Sequence, residues 1–164
     1  MSKEPKDLGE RLYPEARSAE LAMDMPQVHR DLEDVRDRQQ LNEAQTEQMR
    51  KTHCSLLTGI VNPSDMQSVH GSICNGLVHR PVTEEQRDTE AKRYDSQLQE
   101  TMTKGRQEHT WAWDTVWKRA KEMVAERPAL VKLLKDSSQE NSPRFWLAVA
   151  RQARAQLKKE GKLR

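Results

Sequence analysis

The chain has 164 residues, and a charged share of 33% balances a hydrophobic share of 34% at a mean hydropathy of -1.02. Leu, Val, Ile and Phe together number 28 of 164, about 17%, below the roughly 20% that marks a chain with little material for a core. The large net charge that accompanies disorder is absent, at +2. No run approaches the roughly 18 apolar residues of a spanning helix, so no membrane span is expected. The opening MSKEPKDLGERLYPE holds no apolar stretch of a secretory signal. Two cysteines are too few to staple a secreted mini-domain, so the expected setting is intracellular: cytoplasm, nucleus or the inside of a virion.

Charge divides the chain. Residues 1–52 carry a net charge of −3, residues 53–82 carry only Asp65 and Arg80, residues 83–127 carry −1, and residues 128–164 carry +6. After Pro26, through Thr52, there is no Gly or Pro, and good helix formers dominate. The expectation for 1–52 is one long polar helix serving as a docking arm. A heptad seam through Val28, Leu32, Val35, Gln39, Asn42, Thr46, Met49, His53 and Leu56 is apolar only at its ends. A coiled coil needs both seam positions apolar over several heptads, so this arm would depend on a partner.

Residues 53–82 hold three of the six Gly and both Ile, in short apolar runs between turn residues. They read as an irregular connector, in which Asn75-Gly76 closes a small hairpin between Ser72–Cys74 and Leu77–His79. A helix over 83–105 then opens on a capping box, Thr83 with Gln86. Ala91, Tyr94, Leu98 and Met102 form its narrow apolar stripe, and Gly105 is its stop.

Residues 106–164 read as a small bundle of three helices. All four Trp and the only Phe fall here. The expected core is Trp113, Val116, Trp117 and Val124 on the first helix, Leu130 and Leu134 on the second, and Phe145, Trp146, Val149 and Leu157 on the third. Pro128 and Ser142-Pro143 mark helix starts, and Gly161 a helix end. The fold class is therefore mainly all-α: a long polar N-terminal helix, a Gly-rich irregular middle and a C-terminal Trp-rich three-helix bundle.

Two constellations carry chemistry. Cys54, His70, Cys74 and His79 are thiol and imidazole groups of the kind zinc takes four at a time. Metal binding would order a segment poor in core residues, although no C-x-x-C knuckle is present. The same groups read alternatively as a thiol nucleophile with a His base, or as ordinary buried side chains. The last helix carries a basic face of Arg144, Arg151, Arg154, Lys158 and Lys162, with Lys159 beside it, which suits the phosphates of a nucleic acid. The bland reading of that face is a solvated helix side. No P-loop, G-x-S-x-G, G-x-G-x-x-G or H-E-x-x-H occurs.

The expectation is therefore a non-enzymatic structural subunit of a larger assembly (virion, organelle or cytoskeletal), working through other protein subunits and without a cofactor. One alternative is a nucleic-acid-binding module acting through the last helix. The other is a zinc-stabilised module centred on residues 53–79.

Overall fold

The computed structural model describes residues 17–79, 83–108 and 113–162. The fold is all-α. Among the described residues eight helices run in chain order: α1 (17–22), α2 (Pro26–Gln39), α3 (Glu43–Leu57), α4 (Pro63–Val78), α5 (Glu84–Glu108), α6 (Trp113–Ala125), α7 (Pro128–Asp136) and α8 (Pro143–Lys159). No helix is long and apolar enough to cross a membrane among the described residues.

The N-terminal segment is not one long helix. Gln40 takes a left-handed conformation (φ 55°) and ends α2. Asn42 then starts α3 with a reciprocal capping box: the Gln45 amide donates to Asn42 Oδ1 at 2.8 Å, and the Asn42 amide donates to Gln45 Oε1 at 2.9 Å. This N-x-x-Q signature lies within the run read as continuous helix, and two satisfied donors make the break favourable there. The break folds α2 back within the chain. Val28, Leu32 and Val35, spaced by 4 and 3 residues, are buried and α2 packs on α4.

The middle segment is helical too. The expected hairpin is absent, and α4 runs unbroken through Asn75 and Gly76. Asn62 accepts from the Asp65 amide at 3.1 Å, Pro63 occupies the first helical position, and Asp65 lies in the first turn. Met66, Val69, His70, Ile73 and Cys74 are buried at spacings that alternate 3, 1, 3 and 1, one helical face. Tertiary burial overrides the cost of two helical glycines, about 1 kcal/mol each.

The short link 58–62 is pinned from a distance. Arg127 Nη1 donates to the carbonyl oxygens of Ser55, Leu56 and Thr58 at 3.2, 2.8 and 2.6 Å. Those are carbonyls at the end of α3 that lack intrahelical partners, and a cation there also suits the helix dipole. Gln156 Nε2 donates to Gly59 O at 3.1 Å. Gly59 itself sits at φ 81°, open to glycine without strain.

Thr83 and Gln86 form the expected capping box at the start of α5, at 3.2 and 3.1 Å. The helix does not stop at Gly105 but continues to Glu108. The side chains of Ala91, Tyr94 and Leu98 lie outside the described residues, and Met102 is half-buried.

In α6–α8, Trp113, Val116, Val124, Leu130, Leu134, Phe145, Val149 and Leu157 are buried, while Trp117 and Trp146 are half-buried. The aromatics touch in sequence: Trp113 stacks on Trp117 at 6.3 Å, Trp117 meets Trp146 at 5.2 Å, and Phe145 meets Trp146 edge-on at 5.2 Å. A second, less aromatic part of the core lies in the first half and includes Met23, Leu32, Leu57, Met66 and Ile73.

Gly76 is where α4 meets the end of α7. A Cβ built there would lie 1.8 Å from the Ser137 carbonyl oxygen, whereas one built at Gly71 would lie 3.2 Å from the movable Asp31 carboxylate. Gly76→Ala should therefore destabilise the protein by about 3 kcal/mol as overpacking outweighs the gain in helix propensity. Gly71→Ala should stay within about 1 kcal/mol of the parent. Urea unfolding midpoints of the two variants check this, and a Gly76→Ala protein as stable as the parent contradicts the close contact.

Candidate functional site

α3 and α4 meet through a pair of histidines. His53, in the last turns of α3, and His70, midway along α4, are 5% and 0% exposed. His53 Nδ1 and His70 Nε2 lie 2.9 Å apart, with ring centroids at 5.1 Å and planes tilted by 59°. At that distance one nitrogen carries the proton and the other the lone pair, so the neutral pair shares a single proton across the helix interface. Burial lowers the pKa of His53 to about 4. Burial, and then the neighbouring His53, lowers that of His70 to about 3.

Cys74, one helical turn beyond His70, places its Sγ 3.5 Å from His70 Nε2 and 3.7 Å from Nδ1. Near-equal distances to two nitrogens of one ring put the sulfur over the ring face, away from the in-plane lone pairs. The contact is therefore a packing contact of a polarizable atom on an aromatic ring. Burial, and then the carboxylates of Asp31 and Asp34, pushes the Cys74 thiol well up. A thiol kept protonated at neutral pH is the reverse of an activated nucleophile. Cys54 is also pushed up by burial, and its Sγ lies 4.0 Å from Thr58 Oγ1.

The four expected zinc ligands are not gathered as a tetrad. His70 and Cys74 are in contact, Cys54 faces Thr58, and His79 is exposed at the end of α4. The group that meets His70 is His53, the neighbour of the residue chosen from sequence. Among the described residues no group of three or more His, Cys, Asp or Glu is arranged to hold a metal ion. The pairing was visible in sequence only as three histidines in one charge-poor segment. Its register followed from α4 being a helix, which the Gly and Asn residues concealed.

The basic face of α8 is thinner than its sequence. Arg151 forms a two-pronged pair with Asp65 of α4, at 3.1 and 3.0 Å. Lys162 meets Glu160 at 3.5 Å, and Arg144 reaches Ser72 Oγ at 3.5 Å. Arg154, Lys158 and Lys159 are exposed and have no ion-pair partner among the described residues. No family model matches this chain, and no curated protein or solved structure matches it significantly.

The shifts of His53 and His70 set a direction for acid stability. Both folded-state values lie below the ordinary 6.5, so above pH 6.5 the pair is neutral in the folded and unfolded chain alike. As pH falls below 6.5 the unfolded chain takes up protons that the folded one refuses, and stability drops until about pH 4 to 3. At pH 5 the loss is on the order of 2 kcal/mol per histidine, before carboxylates begin to titrate. Urea unfolding at pH 7.5 and 5.0 measures it, and equal stability at both pH values contradicts a neutral buried pair.

Proposed function

We propose that this protein is a non-enzymatic interaction subunit of a larger protein assembly, and that α5 is its docking helix. One observation carries the reading. α5 spans 25 residues, about 37 Å at 1.5 Å per residue, and touches α6 and α8. Yet no described side chain on it is buried: Glu90 and Met102 are half-buried and the others are exposed. By contrast the 16 residues of α4 bury five side chains. Among its described side chains only Met102 is apolar, and a helix face of that kind gains little from its own chain and suits bridging to another molecule.

The partner that fits is a protein surface of mixed charge. Along α5 both signs are interspersed: Glu84, Glu85, Arg87, Asp88 and Glu90, then Lys92, Arg93 and Asp95, then Glu100, Lys104, Arg106 and Glu108. Such an order selects a partner and its register by complementary ion pairs more than by apolar area. The non-enzymatic part of the reading is supported by the inert character of Cys74 and by the packed His53–His70 pair, which leaves no exposed acid–base group at that site.

Hydrogen exchange on the full chain, alone and with the protein that co-purifies from the native source, tests this. Amides of α5 should exchange at least about 10-fold faster than those of α4 in the free chain, and slow on complex formation while α2 and α4 stay unchanged. Free-chain protection of α5 equal to that of α4, unmoved by the partner, overturns the proposal. Protection that falls on Arg154, Lys158 and Lys159 with a co-purifying nucleic acid replaces it with the basic-face reading.

A further inference from the structure

α1, α3 and Arg127 line a cleft of about 790 Å³. That is within the roughly 300–1,000 Å³ of clefts that hold small molecules. Arg17, Glu20, Leu21 and Asp24 reach it from α1 and the turn that follows, at helical spacings. Lys51 and Ser55, one turn apart, reach it from α3. The wall is fixed, because Arg50 pairs with Glu47 and its Nη1 donates to the Met23 carbonyl at 3.5 Å, tying α3 to the turn after α1. No residue of α5 or α8 lines the cleft, so it is separate from the docking helix and from the basic face.

Its charges are unequally matched. Asp24 meets His29 at 2.7 Å, and Arg50 is engaged by Glu47. Arg17, Lys51 and Arg127 have no ion pair among the described residues, and the one other carboxylate in the lining is Glu20. Three cations less one carboxylate leave an excess of two positive charges. Arg127 is the most demanding of them. It is half-buried, and Nη1 alone makes its three hydrogen bonds, so among the described residues the Nε–Nη2 edge donates to nothing. Burial lowers its pKa, and the nearby Glu126 carboxylate does not restore it. A guanidinium held partly out of water, with neutral carbonyls as its only partners, gains from an anion on its free edge. Leu21, 62% exposed, adds a bare apolar surface to the same cleft.

We propose that this cleft binds a phosphate monoester carried on a small organic body. Such a group holds about −1.5 to −2 charges at pH 7 and three acceptor oxygens, which matches the excess charge. The Nε–Nη2 edge of Arg127 offers two parallel donors to two of those oxygens. Lys51 and Arg17 supply the remaining charge, the Ser55 hydroxyl a further donor, and Leu21 the contact for the organic body. A carboxylate, with one charge, would satisfy only half of the excess.

Isothermal titration calorimetry of the full chain at pH 7.5 in 0.15 M NaCl tests this, where surface attraction beyond about 8 Å is screened. The probes are phenyl phosphate, benzoate, and phosphatidylcholine vesicles containing phosphatidylinositol 4-phosphate. Phenyl phosphate should fill one site at least about 10-fold more tightly than benzoate. Arg17→Gln with Lys51→Gln should weaken it at least about 10-fold, and Glu20→Gln should tighten it about 3-fold. Arg154→Gln with Lys158→Gln and Lys159→Gln should leave it unchanged. The substituted side chains in the cleft are exposed, and a general loss of structure would not produce opposite changes. Saturation by phenyl phosphate supports a soluble ligand. Saturation by the vesicles alone, with the same dependence on Arg17 and Lys51, supports a lipid headgroup as the source of the phosphate. No saturation by either below about 10 mM phosphate, benzoate as tight as phenyl phosphate, or binding unmoved by Arg17→Gln with Lys51→Gln overturns the proposal.

Discussion

The structure depends on an uncharged helix. α4 carries one charged side chain, Asp65, in its sixteen residues, and that one sits in the first turn where the helix dipole favours it. Freed from solvating charges on its flanks, α4 can be approached by several helices, and it packs against α2, α7 and α8 and meets α3 through the histidine pair. Burying a charge at any of those contacts would cost several kcal/mol unless it were paired. Gly76 extends the same logic to the backbone, because only a residue without a Cβ leaves room for the Ser137 carbonyl. The features that make residues 63–78 look like a loop in sequence are those that let other helices close around them.

That inversion explains what could be read from the sequence. In α6–α8 every signal agreed: a 3.6-residue apolar period, proline at the first helical positions, and glycine at the end, where Gly161 sits at φ 75°. Large aromatics on a helical face leave little choice of fold. In the first half the local signals opposed the tertiary solution. Asn75-Gly76 is a strong hairpin signal, and it lost to burial of Ile73 and Cys74 on a helical face. The capping residues Asn42, Gln45 and Asn62 were legible, and weighing them would have placed the starts of α3 and α4. A count of Leu, Val, Ile and Phe also understated the core. Met23, Met66, Ala19, Cys54, Cys74 and the neutral imidazole of His70 fill it in the first half.

The long-range polar ties between helices are unequal. The exposed Arg119–Glu160 pair, at 3.0 and 2.9 Å, joins α6 to the end of α8 in high-dielectric surroundings, where such pairs contribute about 1 kcal/mol or less. Arg151–Asp65 resembles it, with Arg151 itself 57% exposed. Arg127 differs in kind. Its guanidinium is partly buried against three carbonyls, two of them in part-buried contacts, and removing it would take the donor from those two. The chain therefore has one strong clasp at the link 58–62, and the paired arginines act as weaker guides to orientation.

The histidine pair is a further polar contact, between α3 and α4. Two aliphatic side chains at positions 53 and 70 would bury as well and would carry no pH dependence, so stability alone does not call for imidazoles there. What the imidazoles add is a hydrogen bond that a first proton, taken up at an outer ring nitrogen, does not break but turns into a buried cation, with no carboxylate contact to either ring among the described residues.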